Sequence, residues 1–216
     1  MIIALLVVAA APAAPPPKPA PMSAIDAERA FAADAQKIGQ WTAFRKWSTP
    51  DALMFTPQPV RAHDFVGKLK DPEHAVWWWP GRSYVSCDGR VAINTGPWVR
   101  GFGKSVGYFT TVWVRQPDGS WKWTYDAGDE LKFARDEGGD IKPVIAACGK
   151  RPPAPAVPAA PASFRKPVKS GSGTSLDRTL VWSWVVDSTG ARRFVAQLWD
   201  GKVWQPVIDD KVAAAP

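Results

Sequence analysis

Apolar side chains recur every three or four residues along the segment 27–47. This spacing places them on one face of an α-helix, and Ser23 followed by Asp26 is typical of a helix N-terminus. Gly39 interrupts the pattern, and Pro50 restricts the residue before it to extended conformations. The segment therefore predicts an amphipathic helix that begins near Ser23, breaks near Gly39 and ends before Pro50.

From residue 75 onward the apolar period changes to two, and turn-forming pairs such as Asp88-Gly89 separate the alternating runs. A short strand and a short helix are predicted before this region, over 51–57 and 63–69. The alternating runs predict antiparallel strands over 77–79, 84–87, 91–95, 107–115 and 121–125. Helices followed by hairpins indicate the α+β class, with one strongly curved antiparallel sheet and the N-terminal helices on one face.

Strict alternation sorts the side chains of the last of these strands. It places Trp121, Trp123 and Tyr125 on one face and Asp126 on the other. One of the two faces must meet the helices. The pattern leaves open which aromatic side chains fill the core and which are accessible to a ligand.

A second set of alternating apolar positions occupies residues 175–216, where Asp200-Gly201 is typical of a two-residue hairpin turn. These residues predict a β-meander of three strands with one apolar face. So few strands cannot bury such a face by themselves. We therefore expect the meander to pack on the central domain or on a second subunit.

The composition divides the chain into four parts. Residues 1–22 combine an apolar run, an A-x-A cleavage sequence at 11–13 and a Pro-rich spacer, which together predict a signal peptide. The run is too short to span a bilayer, so we expect a periplasmic or secreted protein without a membrane anchor after processing. Residues 149–174 are rich in Pro, Ala, Gly and Ser, and predict a linker between a domain at 23–148 and the meander.

Charge and cysteine content exclude some classes of function. The formal net charge is +7, but residues 1–148 carry 17 basic and 15 acidic side chains, and no basic run exceeds two residues. Nucleic-acid binding is therefore not expected. Two cysteines and two histidines occur without the spacing of a metal site, so no metal or cofactor is predicted. Cys87 and Cys148 could pair in an oxidising compartment, or be two unrelated buried residues.

Four strings in residues 24–130 are similar to the DUF4440 and SnoaL-like branches of the NTF2-like superfamily. They are AERAFAADAQKIGQWTAFRKW, DALMFTPQPVRAHDFVGKL, AINTGPWVR and GYFTTVWVRQPDGSWKWTYDAGDE. The resemblance implies a cone-shaped domain with a hollow between the helices and the sheet. This superfamily contains isomerases, dehydratases, cyclases, ligand binders and association modules, so the fold alone does not predict an activity. Dimers are common in it, and a homodimer is expected.

Several side chains are candidates for chemistry in the hollow of the cone. A carboxyl or imidazole group in an apolar pocket can transfer protons, which makes Asp126 and His63 candidate catalytic residues. Aromatic rings can stack on hydrophobic ligands, and the candidates for this role are Trp79, Trp98, Tyr84 and Tyr108. Each has a structural alternative, namely a core aromatic, a loop-capping Asp or a solvated His. The tyrosine and two aspartates of steroid isomerases in this superfamily are not carried over, because no second Asp is evident.

Three functions follow from these observations. The first is an exported protein that binds a small hydrophobic molecule in the cone without catalysis. The second is an enzyme that uses Asp126 for isomerisation, dehydration or hydrolysis of a hydrophobic substrate. The third is an assembly module whose pocket is filled by its own tryptophans. A second ionisable group in the pocket would favour the enzyme.

Overall fold

The computed structural model describes residues 22–133, 135, 140–156 and 158–214. Three helices lie near the N-terminus: α1 (Ala24–Ile38), α2 (Gln40–Trp47) and α3 (Ala62–Val66). Ser23 and Asp26 cap α1 reciprocally, as expected. Gly39, at a φ of 102°, separates α1 from α2. A Cβ at this position would lie 2.3 Å from the Asp71 carboxylate, which accepts hydrogen bonds from the first turn of α2.

The first sheet contains eight strands. They are β1 (Ser48–Phe55), β2 (Pro59–Arg61), β3 (Trp77–Trp78), β4 (Arg82–Val85), β5 (Val91–Arg100), β6 (Ser105–Arg115), β7 (Trp121–Leu131) and β8 (Val144–Ile145). Their order is β2-β1-β7-β6-β5-β4-β8, with β3 beside β5. The pairs β5–β6 and β6–β7 are antiparallel as predicted, but β1 runs parallel to β7 and β4 runs parallel to β8.

The helices pack on one face of this sheet, which confirms the α+β class. Phe31 of α1 lies at the centre of the contact, with ring centroids 6.0 Å from Trp113 and 6.3 Å from Trp123. Both indoles are fully buried. Most of the large aromatic side chains on this face of the sheet therefore belong to the hydrophobic core.

Strict alternation along β7 ends at Thr124. Trp123 and Tyr125 lie opposite consecutive residues of β6, so Thr124 has no partner there and forms a β-bulge. The bulge brings Asp126 to the same face as Trp123, and it turns Tyr125 to the opposite face. The predicted grouping of Tyr125 with the two tryptophans is wrong, because a period of two cannot anticipate an extra residue.

The second sheet has four antiparallel strands, not three. They are β9 (Lys169–Thr174), β10 (Leu180–Val186), β11 (Arg192–Trp199) and β12 (Trp204–Val212), in the order β12-β11-β10-β9. Strand β9 lies inside the segment predicted as a linker. Its Gly171 and Gly173 make room for indoles of β10, since a Cβ at either position would lie 2.6 Å from Trp184 or 2.1 Å from Trp182. The Gly/Ser composition thus allows close packing and does not indicate a flexible spacer.

The second sheet packs within the same chain on the face of the first sheet that is opposite the helices. Tyr125 stacks on Phe194 at 4.7 Å, and Phe55 contacts Trp184 at 5.2 Å between ring centroids. The expected partner surface is therefore the central domain, and the apolar face of the tail needs no second subunit. The homodimer stays a prediction.

Two further contacts hold the C-terminal region in place. The Trp204 indole donates to the Pro153 carbonyl at 3.1 Å, and the Gln197 amide donates to the Ala156 carbonyl at 3.0 Å. Part of the predicted linker thus lies along the second sheet. Cys87 and Cys148 form a disulfide across 61 residues, which decides between the two alternatives that the sequence left open.

The predicted signal peptide and spacer over 1–22 lie outside the described residues, except for Met22. Among the described helices, none has both the length and the apolar character needed to cross a membrane.

Candidate functional site

A cavity of about 400 Å³ lies between helices α1 and α2 and the helix-side face of the first sheet. Much of its wall is apolar, and includes Phe31, Phe44, Met54, Trp78, Trp98 and Phe109. Cavities of this size with a largely apolar lining are typical of small-molecule sites. The half-buried carboxyl group of Asp126 also borders this space.

Asp126 reaches this wall because of the bulge at Thr124. Thr111, which lies opposite it on β6, donates a hydrogen bond from its hydroxyl to Oδ2 at 2.8 Å. The other oxygen, Oδ1, accepts no hydrogen bond from any residue that the structure describes. One carboxylate oxygen is thus fixed by the sheet, and the second is available to a ligand.

The environment of Asp126 favours its neutral form. Burial raises its pKa to about 7, although the hydrogen bond from Thr111 acts in the opposite direction, and the nearby Glu28 carboxyl raises the pKa further. Near neutral pH the group can therefore hold a proton or accept one.

Glu28 is a second carboxyl group near the cavity, fully buried, and it is not among the sequence candidates. It lies on α1 with none of its surface exposed. Trp78 donates to Oε1 at 2.9 Å, while Trp113 and Asn94 donate to Oε2 at 2.6 and 3.3 Å. Burial raises the pKa of Glu28 to about 7 despite these three hydrogen bonds. Since Trp78 borders the cavity, Glu28 fixes the orientation of part of the cavity wall.

The sequence did contain a signal for Glu28. The buried stripe of α1 follows positions 24, 27, 28, 31 and 35, and Glu28 is the charged residue within it. A carboxyl group on the buried face of an amphipathic helix needs hydrogen-bond donors to offset the loss of water. Two indoles and an amide supply them here, and none of the three is close to Glu28 in sequence.

Two of the predicted ligand-binding residues border the cavity. The Trp98 indole packs over Gly107, where a Cβ would lie 2.3 Å from the ring, and its nitrogen donates to the Tyr108 carbonyl at 3.0 Å. Tyr108 borders the same space, but its ring centroid lies 4.0 Å from the Arg135 guanidinium carbon. Burial and the Asp210 carboxyl raise the pKa of Tyr108. Tyr108 thus also belongs to the junction with the second sheet.

Three other candidates lie away from the cavity. His63 is in the first turn of α3, and its Nε2 lies 2.9 Å from the Ser48 hydroxyl oxygen. Tyr84 packs against the core between the two sheets. Trp79 follows β3 and is 39% exposed. Trp78, and not Trp79, borders the cavity. Trp78 lies directly opposite Trp98 on the neighbouring strand, so the two side chains share one face of the sheet.

The site thus combines an aromatic cavity with a carboxyl group that titrates near neutral pH. Such a group can bind a polar atom of a ligand, or exchange a proton with it. In the described part of the chain, no group of three or more His, Cys, Asp or Glu side chains is placed to hold a metal ion.

No protein-family model and no curated protein matches the chain. Solved structures similar to it include two candidate ketosteroid isomerases. The one from Parabacteroides distasonis is 19% identical, covers 50% of this chain and 85% of its own, and has a TM-score of 0.38. The one from Shewanella frigidimarina is 18% identical, covers 50% of this chain and 95% of its own, and has a TM-score of 0.35. An NTF2-like superfamily protein from Salmonella enterica is 16% identical, covers 53% of this chain and 94% of its own, and has a TM-score of 0.37.

The element order of the central domain is the one that the resemblance implied. Two helices, a short strand and a short helix precede the hairpins of a large sheet, and the cavity lies between these helices and that sheet. The narrower assignment to the DUF4440 and SnoaL-like branches stays a prediction. The central domain of this chain thus has the arrangement of helices and sheet that the resemblance to the NTF2-like superfamily implied.

Proposed function

We propose that the central domain binds a small hydrophobic molecule in this cavity, with Trp78 and Trp98 in its wall and Asp126 as its polar contact. The observation that carries the proposal is an aromatic cavity of about 400 Å³ bordered by the half-buried Asp126, whose Oδ1 accepts no hydrogen bond from the described residues. An apolar pocket with a few converging polar groups is the usual form of a ligand site.

The alternative of an assembly module required that the tryptophans fill the pocket. Trp113 and Trp123 are fully buried in the core, yet they leave the space beside Trp78 and Trp98 open. This open space favours the ligand-binding function over the assembly function.

Ligand binding is expected to change the tryptophan fluorescence of the protein saturably, because two indoles border the cavity. We expect Trp98→Leu to weaken the binding of a non-fluorescent ligand such as 1-adamantanol about tenfold, or about 1.4 kcal/mol. The matched control is Trp204→Leu, which removes an indole from the second sheet. Circular dichroism of both variants checks that they are folded.

Two results would contradict this prediction. Equal weakening in both variants would mean that the cavity is not the site. A broad panel of hydrophobic compounds without any saturable signal would favour the assembly module.

A second candidate function is proton transfer by Asp126 on a hydrophobic substrate, by isomerisation, dehydration or hydrolysis. The pKa of about 7 favours it, because a general acid or base works best with a pKa near the operating pH. Asp129 and Glu130 also border the cavity and are further ionisable groups there, whereas Glu28 lies behind Trp78. Turnover by the wild type that is lost in Asp126→Asn, with binding retained, would establish catalysis.

Export to the periplasm or the medium stays part of the proposal. The apolar run and cleavage sequence in residues 1–22 support it, and so does the Cys87–Cys148 disulfide, since disulfides persist mainly in oxidising compartments. The mature chain is expected to begin near Ala14, and an intact Met1 on cytoplasmic protein would contradict export.

A further inference from the structure

The charged groups around the cavity are mostly acidic. Asp126, Asp129 and Glu130 border it, against the single cation Arg100 among the described lining residues. The Arg100 guanidinium lies 3.2 Å from the Glu130 carboxylate, which balances its charge. Asp126 and Asp129 form no ion pair with any of the residues that the structure describes. The cavity and its mouth therefore carry an excess of negative charge when the carboxyl groups are ionised.

The aromatic wall of the cavity also favours a positively charged ligand. The faces of aromatic rings are electron-rich and attract cations within about 6 Å, most strongly where water is excluded. Phe31 and Phe44 meet the Trp78 ring at 4.8 and 6.0 Å in edge-to-face contacts. Together with Trp98 and Phe109 they surround the space next to Asp126.

The two carboxyl groups distinguish between possible ligands. A neutral ligand would gain only from burial of apolar surface, and an anion would be repelled by Asp126 and by Glu28 behind the wall. A cation would supply the charge partner that Asp126 lacks among the described residues, and it would offset the cost of partly removing an ionised carboxylate from water. A cationic ligand with an apolar skeleton would therefore interact favourably with both the aromatic wall and the acidic side chains of the cavity.

We propose that the ligand of this cavity is a compact organic cation, namely an apolar amine or a quaternary ammonium compound, whose charge lies against Asp126 Oδ1 and the aromatic wall. This inference rests on the proposed function and specifies its ligand class.

Matched pairs of probes test it. 1-Adamantylamine and 1-adamantanol share one skeleton and differ in charge, and phenyltrimethylammonium and tert-butylbenzene form a second pair of another shape. We expect each cation to bind the wild type at least about tenfold more tightly than its neutral partner at pH 7.5, or about 1.4 kcal/mol. In Asp126→Asn this preference should fall to less than about twofold.

The control is Asp51→Asn, which neutralises an exposed carboxylate on β1 and should keep the full preference. Equal affinities within both pairs would overturn the cation assignment and leave the proposed function standing. A preference that persists in Asp126→Asn would overturn the role of Asp126. If no probe of either charge binds, the inference and the proposed function both fail.

Discussion

Deletion of residues 169–216 is expected to abolish cooperative folding of the central domain, or to leave it as an aggregating species with a much lower Tm. The second sheet covers Val91, Ile93, Val112 and Tyr125, each at most 5% exposed. Burial of one large apolar side chain contributes roughly 1.5–3 kcal/mol. Exposure of four would therefore cost roughly 6–12 kcal/mol, which is comparable to the whole stability of a typical domain of about 5–15 kcal/mol.

Thermal unfolding with light scattering measures this effect, and a pair of point variants separates packing from chain length. Phe194→Asp places a charge in the contact with Tyr125, and should lower the free energy of unfolding by at least about 3 kcal/mol. Val203→Asp changes a residue that is 54% exposed and should have little effect. A truncated protein that stays monodisperse with an unchanged Tm would show that the second sheet is an independent appendage.

The helices and the hairpins could be predicted from the sequence because their signals are local. The capping pair Ser23 and Asp26 and the apolar spacing up to Trp47 define α1 and α2 without knowledge of the rest of the chain. The Asp118-Gly119 turn likewise lies between two strongly alternating runs. These elements each agree with a single period, so tertiary packing did not have to decide their type.

The site was predicted only in part because its geometry depends on contacts that are distant in sequence. Asp126 was a candidate, but its position on the aromatic face depends on the bulge at Thr124. The choice of Trp78 over Trp79 depends on the pairing of β3 with β5. Glu28 has its partners 50, 66 and 85 residues away. Only the fold identifies such groups as neighbours.

Strand β9 was missed for a related reason. Its Gly and Ser residues have low strand propensity and are typical of linkers. In the structure Gly171 and Gly173 are required by the indoles of the neighbouring strand. A weak local preference is thus overridden by the packing of two large side chains.

The stability of the protein is expected to fall as the pH rises from about 4 to 7. Burial raises the pKa of Glu28 from 4.5 to about 7 and that of Asp126 from 3.8 to about 7. Between these values the unfolded chain releases protons that the folded chain keeps, so a higher pH favours unfolding. Each group accounts for a loss on the order of 3 kcal/mol, which is complete above about pH 7. Asp210, whose pKa is also raised by burial, acts in the same direction.

Below about pH 4 the opposite effect takes over, because carboxylates such as Asp209, whose pKa is lowered by the hydrogen bond from Arg193, lose their stabilising charge. Maximal stability is therefore expected at about pH 4–5. Urea unfolding between pH 4 and 8 measures the profile. Glu28→Gln and Asp126→Asn should each remove a substantial part, about a third or more, of the decline above pH 4.5, even if Glu28→Gln lowers the overall stability through its lost hydrogen bonds. The exposed control Asp51→Asn should keep the wild-type dependence of the unfolding free energy on pH. If Glu28→Gln also kept the wild-type dependence, Glu28 would be ionised in the folded protein throughout this pH range.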